Sequence, residues 1–184
     1  MRVIAGLLGG RKLVAPRGMD TRPTSDRVRE ALFSALGDLR GALVLDLYAG
    51  TGALGIEALS RGAERATFVE NARPALAALR ENLTALALLP RARVVALPAA
   101  RALAAMGAEE RPFDLVFADP PYAALAELPP LLAALAGGAL SPGARVVIEH
   151  ASRDAAPAVT GLTARRSRAY GDTTVTVYDR GDAF

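Results

Sequence analysis

Short apolar runs of strand length alternate along this chain with longer segments whose apolar residues recur at helical spacing. The runs that predict strands cover 43–47, 66–70, 93–97, 113–118 and 144–150, and a closing hairpin covers 162–169 and 174–178. The segments that predict helices cover 24–36, 53–61, 74–86, 99–106 and 125–135. This alternation predicts a mostly parallel sheet with helices on both of its faces.

The chain before this core has a different pattern. Two short apolar runs around residues 3–5 and 12–14 flank several glycines, which predicts a β-hairpin. We therefore expect an N-terminal hairpin extension over residues 1–20 and a core domain over 21–184.

The core is organised around a glycine-bearing turn between the first strand and the helix that follows it. Gly50 and Gly52 have no Cβ, so a ligand can approach the backbone closely, and the amides that begin the helix are free to bind a polar group. The pattern predicts a nucleotide-like ligand. It also satisfies the dinucleotide fingerprint, with Gly55 as the third glycine and Glu70 as the acidic ribose ligand.

Two acidic residues favour a different ligand from NAD. Asp46 precedes the turn, where its carboxylate suits a cationic amino group and would repel a pyrophosphate. Asp119 opens the sequence Asp-Pro-Pro-Tyr after the fourth strand. Together these features look like a class I S-adenosylmethionine-dependent methyltransferase of the kind that methylates amines.

The Asp119–Tyr122 sequence has a direct chemical interpretation. Pro120 and Pro121 have no backbone N–H, so carbonyl groups beside the Asp119 carboxylate stay free to accept hydrogen bonds. An exocyclic amine needs such acceptors, and Tyr122 offers an aromatic surface on which a flipped base could stack. The alternative is purely structural, with a rigid stop after the strand and a tyrosine that only packs.

Composition excludes several other classes of chemistry. The 184 residues are 52% hydrophobic and 22% charged, as expected for one globular domain. No cysteine is present and His150 is the only histidine, which excludes disulfides, thiolate nucleophiles and cysteine or histidine metal clusters. Neither a signal peptide nor a transmembrane span is apparent, so we expect a cytoplasmic protein without a metal.

The net charge of +3 is unevenly distributed. Residues 1–29 contain seven basic and two acidic residues, a local excess that suits a phosphate backbone. A solvated basic face is the alternative explanation. The candidate RNA-binding residues in this segment are Arg2, Arg11, Lys12, Arg17 and Arg27.

Four segments of the chain together carry a resemblance that covers nearly its whole length. They are RPTSDRVREALF at 22–33, LDLYAGTG at 45–52, DPPY at 119–122 and YGDT at 170–173. With them the chain resembles the RsmD family, bacterial enzymes that methylate a guanine N2 of small-subunit 16S ribosomal RNA. The resemblance implies the class I Rossmann-like methyltransferase fold with a seven-stranded, mostly parallel sheet, and S-adenosylmethionine as cofactor.

The resemblance also implies roles for particular residues. The target base would bind at Asp119, Pro120, Pro121 and Tyr122, and the basic N-terminal segment would contact RNA. Where such enzymes often carry an acidic residue near the adenine, this chain has Pro98-Ala99, so backbone groups would recognise the adenine there. The expected cofactor-binding residues are Arg22, Thr24, Asp46, Tyr48, Ala49, Gly50, Thr51, Gly52, Glu70, Asn71 and Ala99.

Several alternatives remain open at this point. Asp-Pro-Pro-Tyr serves any planar exocyclic amine, so adenine-N6 methylation of RNA or DNA is a second hypothesis. A dehydrogenase would use the same glycines but finds no histidine or lysine in a suitable position. A non-catalytic, RNA-binding ribosome-assembly factor is a third hypothesis. The partner is expected to be small-subunit RNA or an assembling 30S particle, and the protein is expected to be a monomer.

Overall fold

A seven-stranded sheet forms the centre of the computed structural model, which describes residues 1–16, 26–106 and 111–181, apart from the side chains of Tyr122 and Ala123. The strands are β1 (Leu43–Leu47), β2 (Arg65–Val69), β3 (Ala92–Val95), β4 (Phe113–Ala118), β5 (Leu140–Ala151), β6 (Leu162–Tyr170) and β7 (Thr173–Arg180). The helices of these ranges are α1 (Asp26–Leu36), α2 (Ala53–Ser60), α3 (Arg73–Ala85), α4 (Ala99–Ala105) and α5 (Leu128–Ala136).

The strand order β3-β2-β1-β4-β5-β7-β6 decides where a ligand can bind. Strands β1 to β5 are parallel, and β7 runs antiparallel to both β5 and β6. The chain moves outward from β1 to β2 and β3, then returns to place β4 on the other side of β1. The carboxyl ends of β1 and β4 are therefore the topological switch point, where ligands bind in open α/β sheets.

Helices cover both faces of the sheet. Helices α1, α2 and α3 pack on one face through a core that includes Phe33, Ile56 and Leu79. Helices α4 and α5 pack on the opposite face through a core that includes Ala102 and Leu132. The predicted fold class, a mostly parallel Rossmann-like sheet with helices on both faces, is confirmed.

Two elements begin more than two residues away from where the sequence predicts them. The segment predicted as a helix over 125–135 is a 3₁₀ helix at Tyr122–Glu127 followed by α5. Helix α5 begins at Leu128 because Pro129 and Pro130 suit a first turn, whose N–H groups have no partner within the helix. Strand β5 begins at Leu140, four residues earlier than expected, by pairing with Phe113.

The N-terminal segment folds back on itself and is attached to the core. Its antiparallel pairing includes one isolated bridge, between Arg2 and Lys12. The buried Glu57 carboxylate on α2 accepts hydrogen bonds from the backbone N–H groups of Ile4 at 2.6 Å and Ala5 at 3.0 Å. The segment thus depends on side chains of the core for its position.

No described helix is both long and apolar enough to cross a membrane. Within the same residues, no group of three or more histidine, cysteine, aspartate or glutamate side chains is arranged to hold a metal ion.

Candidate active site

The loop between β1 and α2 has an unusual backbone conformation over several residues. Tyr48 has a φ angle of 58°, which is uncommon for a residue other than glycine, and Gly50 and Gly52 have φ angles of 56° and 80°. An added Cβ at Gly50 would meet no atom within 4 Å, so the backbone there borders open space. Strained residues of this kind concentrate at ligand-binding sites.

Close packing behind the loop explains two of its glycines. A Cβ at Gly52 would come within 2.4 Å of Leu79 Cδ1, and a Cβ at Gly55 within 2.3 Å of Phe68 Cε1. Helix α2 therefore lies directly against β2 and α3 and begins beside the switch point. The third glycine of the pattern has this same packing role in dinucleotide-binding folds.

Asp46 anchors the beginning of α2. Its side chain, which belongs to a residue only 2% exposed, accepts a hydrogen bond from the Gly55 N–H at 2.9 Å. Burial raises the pKa of Asp46 to about 8; the Gly55 hydrogen bond lowers it, and the nearby Asp119 and Glu70 carboxylates raise it. The predicted contact between Asp46 and the ammonium of a ligand stays a prediction, and what the structure shows is its hydrogen bond to α2.

Glu70 organises the loops that follow β1 and β2. One carboxylate oxygen accepts the Gly50 N–H at 2.8 Å, and the other accepts the N–H groups of Asn71 and Ala72, also at 2.8 Å. This half-buried side chain thus connects the glycine loop to the end of β2. Its expected binding of ribose hydroxyls remains a prediction.

Asp119 follows β4 at the switch point. Ala118 pairs with Leu47 in adjacent parallel strands, so Asp119 and Tyr48 directly follow neighbouring strand ends, where the strands are about 4.8 Å apart. Asp119 is exposed on one side, while the surrounding protein and, secondarily, the Glu149 carboxylate raise its pKa to about 7. Water on the open side screens part of this effect.

The residues after Asp119 form a rigid turn. Pro120 is buried and Pro121 is exposed, and the Pro121 carbonyl accepts a hydrogen bond from the Ala124 N–H at 2.8 Å. That carbonyl therefore already accepts one hydrogen bond within the protein. Tyr122 begins the 3₁₀ helix, but its side chain lies outside the described part of the structure.

The two residues predicted to contact the adenine differ in position. Asn71 is exposed directly after β2. Ala99 is the first residue of α4, and its side chain is buried in the core beneath α4 and α5. The expectation that backbone groups at Ala99 recognise an adenine remains a prediction.

The predicted RNA-binding residues are only partly free. Arg11, Lys12 and Arg27 are exposed, whereas the exposed Arg2 pairs with Asp26 at 3.2 Å. Arg29, which contributes to the basic excess of this segment, is fully buried and donates hydrogen bonds to the Arg2 carbonyl and Asp26. Three predicted residues, Arg17, Arg22 and Thr24, lie outside the described residues.

Two polar residues important for the site were not identified from the sequence. Asn82 on α3 hydrogen-bonds Val14 through both backbone groups and donates to the Thr51 carbonyl at 3.0 Å. Glu57 lies on α2 and holds the N-terminal segment. Their sequence signal was a polar residue within an apolar helical face, since Asn82 lies between Leu79 and Leu83.

The charges of the site fit S-adenosylmethionine. Asp46 and Asp119 are close enough to Glu70 or Glu149 for like charges to raise their pKa values. Among the described residues, no arginine or lysine forms an ion pair with Asp46, Glu70 or Asp119. A ligand with an ammonium and a sulfonium group relieves this repulsion, and its ribose hydroxyls suit a carboxylate acceptor.

The strand order, with β7 alone reversed, and the glycine loop at the switch point define a class I S-adenosylmethionine-dependent methyltransferase. The family model described as Conserved hypothetical protein 95 matches residues 1–179. The chain therefore belongs to that family, which is the RsmD family that its motifs resemble.

Two similar proteins that are described as rRNA methyltransferases agree with this family assignment. The chain is 40% identical over 183 residues to Bacillus subtilis YlbH, provisionally described as an rRNA methyltransferase, and the alignment covers 98% of this chain and 99% of YlbH. It is 46% identical over 123 residues to the Escherichia coli ribosomal RNA small subunit methyltransferase D, where the alignment covers 66% of this chain and 60% of the relative.

Solved structures extend the similarity to the whole chain. The provisionally named Escherichia coli methyltransferase yhhF superimposes with a TM-score of 0.84 at 36% identity and covers 100% of this chain and 99% of its own. A Haemophilus influenzae protein described as a methylase superimposes with a TM-score of 0.80 at 30% identity, covering 99% of each chain.

Proposed function

We propose that this protein transfers the methyl group of S-adenosylmethionine to the exocyclic N2 amine of a guanine in small-subunit ribosomal RNA. The observation that carries the proposal is the position of Asp119. Asp119 follows β4 at the switch point, beside the end of β1, whose following loop we assign to the cofactor. Two relatives described as rRNA methyltransferases support RNA as the substrate.

The residues around Asp119 suit a planar amine. The amine of guanine is a poor nucleophile because its lone pair is delocalised into the ring. The Asp119 carboxylate accepts a hydrogen bond from one N–H of the amine, and the Pro120 carbonyl accepts a hydrogen bond from the other. These two hydrogen bonds raise the electron density on the nitrogen and orient its lone pair. S-adenosylmethionine, when bound, supplies an electrophilic methyl group. Catalysis by this chain then consists mainly of orientation and electrostatics.

Proton transfer completes the reaction. When the nitrogen gains the methyl group it becomes cationic and acidic, so it loses a proton after the new bond has formed. Asp119 is the nearest carboxylate for that proton, and its raised pKa makes it a competent acceptor near neutral pH. Its first role is to accept a hydrogen bond, which requires the ionised form.

The cofactor region is assigned to the loops after β1 and β2. We propose that Asp46 and the loop of Tyr48, Ala49, Gly50, Thr51 and Gly52 bind the methionine part, and Glu70 the ribose hydroxyls. Asn71 and the backbone at Ala99 border the adenine. Arg2, Arg11, Lys12 and Arg27 are proposed to contact RNA, in a cytoplasmic, monomeric enzyme that acts on free RNA or on an assembling 30S particle.

The test is methyl transfer from labelled S-adenosylmethionine to small-subunit RNA and to 30S particles from cells that lack the enzyme, followed by nucleoside analysis. We expect N2-methylguanosine, lost in Asp119→Ala and retained in Asp38→Asn, an exposed residue that pairs with Arg40 before β1. Label in N6-methyladenosine would overturn the base assignment. Binding of RNA without any transfer would favour an assembly factor.

A further inference from the structure

The edge strand β6 presents a basic surface that the sequence analysis did not assign to any function. Almost every residue of β6 is exposed, and three of its side chains line a groove against α1. We define the β6 basic face as Arg166, Arg168 and Tyr170. The opposite wall of the groove is formed by Ala31, Leu32 and Ala35 of α1.

A bulge in β6 determines which face of the sheet Arg166 and Arg168 share. The register with β7 shifts between Ala164 and Arg166, so Arg166 pairs with Val177 and Arg168 pairs with Val175. Without the extra residue, Arg165 would pair with Val177. Bulges at sheet edges redirect side chains in this way. Here the result is two guanidinium groups beside α1, while Arg165 binds Asp179 at 3.1 Å.

The charges of the β6 basic face are not neutralised within the described chain. Over residues 1–16, 26–106 and 111–181, no carboxylate forms an ion pair with Arg166 or Arg168, whereas exposed Arg40, Arg111 and Arg165 each have an acidic partner. The guanidinium carbon of Arg168 lies 5.2 Å from the centroid of the Tyr170 ring. This cation–π contact stabilises the position of the guanidinium beside the groove.

Strand register locates this face relative to Asp119. Ala118 pairs with Ile148, and the next residue of β5, Glu149, pairs with Val175, which in turn pairs with Arg168. Arg168 therefore lies at the same level of the sheet as Asp119, three strands away. At about 4.8 Å per strand, the two backbones are separated by about 14 Å. A polynucleotide bound at Asp119 reaches this distance within a few nucleotides.

We propose that the β6 basic face binds the phosphodiester backbone of the RNA that flanks the methylated base. The inference rests on the proposed function, which supplies RNA as the substrate. Arginine suits phosphate because its planar guanidinium donates two parallel hydrogen bonds. The residues of α1 that line the groove are apolar, so α1 supplies no carboxylate there to these arginines. A phosphate of the RNA is the anion that we propose binds them.

The experiment compares Arg166→Gln/Arg168→Gln with the wild type in filter binding to a small-subunit RNA transcript over a series of salt concentrations. Each lost phosphate contact forgoes about one released counterion, so we expect affinity to fall about tenfold or more at ~0.1 M salt. The slope of log affinity against log salt should decrease by about 1 to 2. The KM for RNA should rise, with kcat and calorimetric affinity for S-adenosylmethionine unchanged.

Two matched variants make the test specific. Arg165→Gln removes an exposed arginine from the same strand that is paired with Asp179, and it should bind RNA like the wild type. Arg166→Lys/Arg168→Lys keeps the charge and should retain most of the salt dependence. The proposal is overturned if the double glutamine variant keeps wild-type affinity and slope, or if Arg165→Gln loses as much affinity.

A second outcome would also overturn it. Charged residues on an edge strand protect a sheet against pairing with other chains. If the double glutamine variant self-associates in light scattering while its RNA affinity is unchanged, edge protection explains the arginines. RNA binding is measured independently of methyl transfer. Loss of RNA binding in the double glutamine variant therefore supports RNA binding by the β6 basic face, even if the wild type methylates a base other than guanine.

Discussion

The side-chain amide of Asn82 donates a hydrogen bond of 3.0 Å to the carbonyl of Thr51, in the glycine loop. The same amide donates to the Val14 carbonyl at 3.1 Å, and its oxygen accepts the Val14 N–H at 2.7 Å. One buried residue of α3 therefore holds both the N-terminal segment and the loop at the switch point. Asn82 therefore helps to position both the proposed RNA-binding segment and the proposed cofactor loop.

Replacing Asn82 by aspartate should disturb both segments. A carboxylate oxygen would face the Thr51 and Val14 carbonyls where the amide donated, leaving buried groups without hydrogen bonds. We expect the free energy of unfolding to fall by about 1–3 kcal/mol. We expect affinity for S-adenosylmethionine to fall about 3- to 10-fold, or about 1 kcal/mol, in calorimetry.

The neighbouring variant Glu81→Gln provides the control, because Glu81 is exposed on the same helix. It should alter neither quantity. If Asn82→Asp lost stability but kept full cofactor affinity, the hydrogen bond to Thr51 would have no role in the loop.

Asp46→Asn should change how stability depends on pH. The folded-state pKa of Asp46 is raised to about 8, so between about pH 4 and pH 8 the unfolded chain ionises this group and the folded chain does not. The contribution of Asp46 to the free energy of unfolding is therefore most favourable below about pH 4, and it is lost as the pH rises to about 8. Relative to the wild type, the variant should gain on the order of 4 kcal/mol between pH 5 and pH 8 in chemical unfolding, at about 1.4 kcal/mol for each pH unit. A constant difference between the two proteins across that range would contradict the raised pKa.

Glu149→Gln should shift the pH dependence of methyl transfer. Ionised Asp119 is the hydrogen-bond acceptor, so kcat/KM should rise with pH through its pKa of about 7. Because the Glu149 carboxylate contributes to that raised pKa, its removal should move the rising limb to lower pH. Glu149→Asp, which keeps the charge, should leave the limb near its original position. An unchanged limb in Glu149→Gln would mean that another group controls the profile.

Gly55→Ala should destabilise the beginning of α2. The new Cβ would lie 2.3 Å from Phe68 Cε1 and 3.1 Å from Asp46 Oδ2, so the helix or the ring must move. We expect a loss of about 1–3 kcal/mol in the free energy of unfolding, as for other overpacked cores. Gly138→Ala is the matched control, since a Cβ there meets no atom within 4 Å. Equal stability of the two variants would contradict the close approach at Gly55.

Glu57→Gln should release the N-terminal segment. The buried carboxylate accepts the Ile4 and Ala5 N–H groups and pairs with Arg61 at 2.7 Å, and an amide cannot accept all three. We expect a loss of about 1–3 kcal/mol and faster hydrogen exchange at residues 4 and 5. Glu64→Gln removes an exposed partner of Arg111 and should cost at most about 1 kcal/mol. Unchanged exchange at Ile4 in Glu57→Gln would show that other contacts hold the segment.

Local pattern was sufficient for most of the fold. The alternation of strands and helices was predictable because it depends on local features of the sequence. These features are the length of the apolar runs, the spacing of apolar residues in helices and the glycines at turns. The exception was the helix expected over 125–135, because apolar periodicity does not distinguish a 3₁₀ helix from an α-helix. Pro129 and Pro130 carried the missing information, since together they favour the first turn of a helix.

Residue type and spacing also indicated which groups to consider at the site. Asp46 is the next-to-last residue of β1, and Glu70 and Asp119 follow β2 and β4. Parallel strands bring such positions to one edge of the sheet. Their hydrogen bonds could not be predicted, because Asp46 binds Gly55 and Glu70 binds Gly50 only after α2 has packed against the sheet. The pKa values of Asp46 and Asp119 likewise depend on burial and on carboxylates from other strands.

By itself, then, the sequence determined the class of fold, the position of the glycine loop and the identity of the acidic residues beside it. These features follow from local periodicity and from the chemistry of single side chains. Only the tertiary structure decided that Asn82 joins Val14 to Thr51, that Arg29 is buried, and that a bulge turns Arg166 toward α1. Such relationships arise between residues far apart in the chain, because packing and strand register determine which of them meet.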